Sequence, residues 1–184
     1  RQRQMCIRDS MGTVPGNRHK VPMFLSGDGA QSFYGAFAPC NMKLTVLDAP
    51  AGGASAIKML KSVVMKGLPQ LMFESFEAAE KYGVLGTLAE SLGESINGKT
   101  VEKLANTFIA RTMIHAERRS SEMRDVVSTL ESLKVDASMS KAAIAKLDAL
   151  AAQHWADKID PSGDLYYREA IKLLVKENEE DGLK

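Results

Sequence analysis

The sequence predicts a mainly α fold: an all-α C-terminal region led by one long helix, preceded by a short α/β portion. Apolar residues recur at helical spacing almost everywhere after residue 50. The only apolar runs short enough to read as strands lie before residue 50. At 184 residues and 45% hydrophobic, the chain is long enough for one domain and part of another, with enough apolar side chains to build a core.

The elements follow in order. Val21–Ser26 is a short apolar run that ends at Gly27-Asp28-Gly29, which suits a strand closed by a turn. Ala30–Ala38 forms a short helix with Phe33, Tyr34 and Phe37 on one side, and Pro39 stops it. Met42–Leu47 is a second strand, closing at Asp48-Ala49-Pro50. Two strands and one helix cannot close a doubly wound sheet, so residues 11–50 read as the last units of a larger α/β domain.

From Ser55 to Tyr82, Ala56, Leu60, Val63, Val64, Gly67, Leu68, Leu71, Met72 and Phe76 recur at helical spacing and form a wide stripe. Pro69 removes a backbone hydrogen bond inside that run and is expected to kink it near Gly67. Shorter helices are expected over Val84–Leu92, from Thr100 through His115, and on to Leu133. Ser138 or Ser140 is placed to cap a helix over Lys141–Trp155. Pro161-Ser162-Gly163-Asp164 reads as a turn, and a last helix covers Leu165–Asn178 before an acidic, frayed tail.

Charge and cysteine usage exclude several classes of function. A formal net charge of +1 gives no footprint for nucleic acid or an acidic membrane surface. No apolar run approaches the ~18 residues of a membrane span. Of two cysteines, Cys6 lies in the first ten residues and Cys40 stands alone, so neither a disulfide frame nor a thiolate metal site is expected. A reducing cytoplasm is the matching compartment. His115 has no partner at zinc-ligand spacing, and His154 beside Trp155 reads as a partly buried helix position.

The chemistry centres on Lys58. Gly52-Gly53 form a turn just before the long helix, and Lys58 falls in that helix's first turns. At about 100° per residue, Lys58, Lys61, Ser62 and Met65 share one face, while Leu60, Val64, Gly67 and Leu71 lie opposite. By spacing alone Lys58 can face a cleft while the apolar stripe anchors the helix, or it can be a solvated surface lysine, as most lysines are. A lysine partly desolvated in a cleft can accept a proton near neutral pH. A second polar stripe joins His115, Arg118, Arg119 and Glu122 at helical spacing. Arginine there can grip a carboxylate or phosphate in two-pronged fashion, or the stripe can be a solvated face with ion pairs from Glu122 to the arginines.

The segment Gly52-Gly53-Ala54-Ser55-Ala56-Ile57-Lys58-Met59, with Met11-Gly12-Thr13-Val14-Pro15-Gly16 upstream, resembles the β-hydroxyacid dehydrogenases, the superfamily of 3-hydroxyisobutyrate and 6-phosphogluconate dehydrogenases. Lys66-Gly67, Glu117-Arg118-Arg119 and Glu122-Met123 extend the likeness toward the putative C-terminal domain of phosphogluconate-dehydrogenase-like proteins, across most of residues 50–150. The resemblance implies a Rossmann-like identity for the α/β portion and a helical substrate and dimerisation domain over residues 51–184. It implies Lys58 as catalytic acid/base, with Gly12, Thr13, Ser62, Arg119 and Glu122 as substrate-binding residues. It implies NAD or NADP as cofactor of the full-length protein, a small hydroxy acid as substrate, and a homodimer formed through the helical domain.

Departures bear on specificity. Ser62 stands where better-known members have asparagine, Met11-Gly12-Thr13 replaces Ser-Gly-Gly, and Ser121-Glu122 stands near a Lys-Asp pair. The chain carries no GxGxxG fingerprint, so no cofactor is expected on this portion alone and it is expected to be inactive by itself. The alternative is a non-catalytic helical dimerisation or interaction domain. Residues 1–10 are a separate matter. Arg3–Ser10 back-translates to a sequence resembling the transposase ends used in shotgun sequencing libraries. They are expected to be an artefact tail without packed structure, with the native chain beginning near Met11.

Overall fold

In a computed structural model, which describes residues 8–12, 15–159, 165–180 and 182, the chain divides into two compact units, residues 1–69 and 70–184. The division falls at Pro69, inside the longest helix.

The first unit is built on a three-stranded sheet in the order β1-β2-β3, with β1 at Arg8–Ser10, β2 at Met23–Leu25 and β3 at Leu44–Val46. β2 and β3 pair in parallel, and helix α1 (Ala30–Phe37) makes the crossover between them. Pro39 follows within a 3-10 turn, which ends the helix as expected. The strand β1 was not expected. It pairs antiparallel with β2, with Ser10 opposite Met23, so residues 8–10 are not the unpaired tail that the sequence suggests. A sheet edge offers unpaired backbone groups to any extended segment within reach, and such pairing needs no particular side chains. Met5 and Ile7 lie outside the described residues.

The core of this unit is small. Leu25, Val21, Ala30 and Ala54 are buried, and the hydroxyl of Ser26 is buried among them. Ser26 Oγ accepts a hydrogen bond from Ala54 N at 3.0 Å, which satisfies one of the orphan amides at the start of helix α2 (Gly53–Tyr82). The junction demands a glycine, because a Cβ at Gly53 would sit 2.7 Å from the Ala49 methyl.

Helix α2 runs 30 residues with Pro69 inside it. Its apolar stripe is not buried against this chain as the sequence suggests. Leu60 is 68% exposed, Val63 70% and Val64 63%, and Met59, Met65 and Phe73 are exposed with them. The helix is apolar over most of its circumference, and a helix of that kind is one that another surface covers.

The second unit is all α. After the last turns of α2 come α3 (Leu85–Ile96), α4 (Val101–Ala105), a π-helical segment over Asn106–Ala110, α5 (Arg111–Ile114), α6 (Ala116–Ser132), α7 (Ser138–Ala152), α8 (Trp155–Lys158) and α9 (Tyr167–Glu180). No strand occurs among the described residues after β3. α3 continues through Gly93, where the sequence suggested a stop. The helix expected from Thr100 to His115 forms, but with the π-helical interruption. Thr100 caps it, its hydroxyl accepting from Lys103 N. Pro161-Ser162-Gly163-Asp164 lies outside the described residues.

Two apolar clusters hold this unit. One joins Ala78 of α2 to Val127 and Leu130 of α6, with Val135 and Ala137 from the following turn. The other gathers Met113, Trp155, Ile159 and Ala170, with Leu150 and Leu174 against them. Two polar clamps reinforce the first cluster. Glu74, buried, accepts from Met139 N at 2.6 Å, Ser140 N at 3.0 Å and Ser140 Oγ at 2.7 Å. Thus α7 is capped by a carboxylate from α2, not by the hydroxyls of Ser138 or Ser140. Lys81 donates to the carbonyls of Leu133 and Lys134, both at 3.2 Å, closing the C-terminal end of α6.

Candidate functional site

Lys58 lies in the second turn of α2, five residues after Gly53. Its side chain is exposed. Ser62, half-buried one turn later, donates its hydroxyl hydrogen back to the Lys58 carbonyl at 3.0 Å. That bond ties the proton of Ser62 to its own helix, and the oxygen lone pairs remain for a ligand that donates. Lys58, Ser62 and Gly12 all belong to the first unit.

Gly12 is an exposed bend. Met11 N donates to Pro22 O at 2.8 Å, and a Cβ at Gly12 would meet Val21 Cγ2 at 3.6 Å, so this segment is pinned beside the buried Val21. Thr13 lies outside the described residues.

Arg119 and Glu122 belong to the second unit. They are not partners. Arg118 makes the ion pair with Glu122 one turn away, both side chains largely exposed. Arg119 Nη1 donates to Thr112 Oγ1 at 2.9 Å, bridging from α6 back to α5 across the break at His115. His115 is exposed and leads into α6 with φ −109 and ψ 26, outside helical values, so it does not continue the regular stripe. The four residues therefore split into a surface ion pair, a structural brace and a chain break. His154 is exposed with φ 52, not a partly buried helix position.

The residues present do not fit a dinucleotide. The turn after β2, Gly27-Asp28-Gly29, leads into α1 as a phosphate-binding turn would. Yet a Cβ at Gly27 would lie 3.0 Å from Ala51 Cα, so the close approach at this turn is made by the chain itself. The crevice beside it, about 620 Å³, is edged by the carboxylates of Asp28 and Asp48, which repel a pyrophosphate. Among the described residues, no group of three or more histidine, cysteine or acidic side chains could hold a metal ion. No helix among them is long and apolar enough to cross a membrane.

Sequence reasoning missed Glu74 and the triad of Ser120, Arg124 and Asp148. Ser120 Oγ donates to Asp148 Oδ1, Arg124 Nη1 donates to Ser120 Oγ at 2.6 Å, and Arg124 pairs with Asp148 at 2.7 Å, fastening α6 to α7. The Ser120 hydroxyl, then Arg124, hold the Asp148 carboxyl below the ordinary aspartate value. Neither set has a sequence signature, because each joins residues at least 24 positions apart.

Comparison with known proteins sets this geometry in context. Residues 79–150 match the family described as "Domain of unknown function (DUF1932)". Over 109 residues the chain is 29% identical to an uncharacterized 28.5 kDa protein of Methanothermus fervidus, covering 59% of this chain and 43% of that one. A conserved hypothetical protein from Sinorhizobium meliloti 1021, of solved structure, is 30% identical with a TM-score of 0.45, over 92% of this chain and 56% of its own. A second solved structure is 28% identical with a TM-score of 0.47, over 81% of this chain and 57% of its own. It is a conserved protein of unknown function described as structurally similar to 3-hydroxyacid dehydrogenases. The chain spans about half the length of these relatives. The mainly α chain thus carries, over residues 79–150, a stretch similar to that family.

Proposed function

We propose that this chain is the C-terminal portion of an NAD(P)-dependent oxidoreductase acting on a small hydroxy acid, with Lys58 as the acid/base. The observation that carries the reading is the position of Lys58. It follows a glycine turn whose helix start is fixed by the Ser26 hydroxyl, and it stands on the polar strip of an otherwise apolar helix. The Lys58 amine would take the hydroxyl proton as the carbinol carbon gives up its hydride to the NAD or NADP that the longer protein would hold. Gly12 and Thr13 approach the substrate with backbone groups, and the Ser62 oxygen accepts from a substrate hydroxyl. The dinucleotide, NAD or NADP, is held by residues other than these in the longer protein, and this portion alone has no turnover. A protein with one exposed, free cysteine among the described residues suits the cytoplasm.

The same reading makes the protein a homodimer through its helical domain. Its support is the exposed apolar circumference of α2, which a second copy can cover. Sedimentation of the chain tests it: a dimer that Leu60→Glu with Val63→Glu converts to monomer is expected, and a wild-type monomer at tens of micromolar would overturn it. The exposure of Lys58 and that apolar surface also favour a second reading, a non-catalytic dimerisation module.

Lys58→Met in the full-length protein separates the two. Methionine keeps the length and removes the proton acceptor, so turnover should fall by roughly 10²–10⁴-fold with substrate still bound. Turnover equal to wild type on the true substrate would sink the catalytic assignment.

A further inference from the structure

We propose that Ser26 is a positioning residue of the Lys58 site: its hydroxyl fixes the direction in which the first turns of α2 present the lysine. The proposal rests on the reading of Lys58 as the acid/base, and three observations within the first unit carry it.

The first is the hydroxyl itself. Ser26 is completely buried, next to the buried Leu25 that ends β2. A hydroxyl in an apolar core costs free energy unless it is hydrogen-bonded. Here Ser26 Oγ accepts from Ala54 N at 3.0 Å, and Ala54 is buried as fully as the serine. The bond spans 28 positions of sequence and ties the end of a strand to the start of a helix.

The second is the lack of slack around that bond. Gly53 N donates to Pro50 O at 3.0 Å and Ala56 N to Gly52 O at 2.8 Å, so neighbouring amides of the turn are held by backbone. Gly27 N donates to Ala49 O at 3.1 Å. A Cβ at Gly27 would lie 3.0 Å from Ala51 Cα, and one at Gly53 would lie 3.5 Å from Ser26 Cβ. The turn before α2 is thus stacked on the end of β2, backbone against backbone. Such packing sets how far the helix start lies from the strand. Rotation about the helix axis is fixed by a directed contact, and the bond from Ala54 N to Ser26 Oγ is one.

The third is register. Lys58 stands four residues after Ala54, so the two share a face one turn apart. The Cα–Cβ bonds of a helix tilt toward its N-terminus, so Lys58 leans back over the turn that Ser26 holds. A slip of one residue in register would swing the lysine by about 100°. On its other side, Ser62 Oγ donates to Lys58 O at 3.0 Å, so a serine ties the lysine's turn at each end. Aim matters for proton transfer, because a misplacement of about 1 Å costs on the order of 10²-fold in rate.

The test is NMR of the 184-residue chain, reading hydrogen exchange and residual dipolar couplings of the backbone amides. In the wild type, the Ala54 amide should exchange as slowly as the Leu47 amide, which is bonded to Leu25 O. An Ala54 amide exchanging at the rate of a free chain would overturn the proposal with no variant needed. Ser26→Cys keeps the volume but offers only a weak acceptor, and Ser26→Ala offers none. Circular dichroism checks that both remain helical. Each should speed exchange at Ala54 about tenfold. Each should also turn the couplings of residues 54–62 relative to those of β2 and β3. A cysteine variant indistinguishable from wild type would overturn the proposal, since the side chain then only fills space. Faster exchange with unchanged couplings would overturn it too, because the hydroxyl then stabilises the helix start without aiming it. Lys58→Met turnover reads the lysine's chemistry rather than its direction. Turned couplings beside an active Lys58→Met enzyme would fault only the catalytic reading, and unchanged couplings beside an inactive one would fault only this one.

Discussion

Removing the Glu74 carboxylate tests what joins α2 to the α6–α7 pair. Glu74 is 6% exposed and accepts three hydrogen bonds, two from the orphan amides at the start of α7 and one from the Ser140 hydroxyl. A hydrogen bond to a charged group contributes about 1.5–3 kcal/mol, and a lost helix cap costs about 1–2 kcal/mol. The three bonds share one carboxylate and are not additive, and Ser140 can turn its hydroxyl elsewhere. Glu74→Ala should therefore cost about 3 kcal/mol, and Glu74→Gln about half of that, since an amide keeps one acceptor but turns a donor toward an N–H. Urea unfolding followed by Trp155 fluorescence reads the effect, because the chain's single tryptophan is buried in the other cluster of the same unit. The midpoint should fall with the slope unchanged. A Glu74→Ala protein within about 0.5 kcal/mol of wild type would refute the reasoning, since changes of that size are those of surface positions without such a role.

The other expectations concern separate parts of the chain. Gly53→Ala should destabilise the first unit by roughly 1–3 kcal/mol, because its Cβ would overlap the Ala49 methyl at 2.7 Å; hydrogen exchange of the β2 and β3 amides would reveal it, and unchanged protection would count against the close packing. For Asp148, whose carboxyl is held below the ordinary value, the sign of the pH effect is definite: the stabilisation is complete above the ordinary aspartate value and is lost as pH falls through the lowered one. Asp148→Asn should therefore flatten the acid limb of the stability curve below about pH 4 and leave its shape at neutral pH unchanged; an acid limb as steep as wild type would show that the Ser120–Arg124 partnership carries no proton linkage.

Much of the fold was legible because it is periodic. The strands near 23–25 and 44–46, the helix stopped by Pro39 and the long helix through Tyr82 each follow from apolar spacing and a breaker residue. What the sequence could not convey depends on the partner of each face. The Leu60–Val64 stripe reads as an anchored face by spacing alone, yet those residues are exposed, because spacing marks a face that wants burial without saying whether the same chain supplies it. Gly93 reads as a stop, but a single glycine costs a helix only about 1 kcal/mol, and α3 runs on to Ile96.

The polar stripe at 115–122 shows the same limit in the candidate site. An unbroken helix would align His115, Arg118, Arg119 and Glu122. The chain instead breaks at His115, just beyond a π-helical segment that adds a residue to the local turn. Arg119 then meets Thr112 rather than Glu122, and a stripe that spacing makes continuous becomes two unrelated interactions. Lys58 is different, because only five residues separate it from Gly52 and nothing interrupts the helix between them. Its place on one face of that helix follows from spacing for that reason. The sequence of this segment specifies the lysine's place on the helix but not its environment.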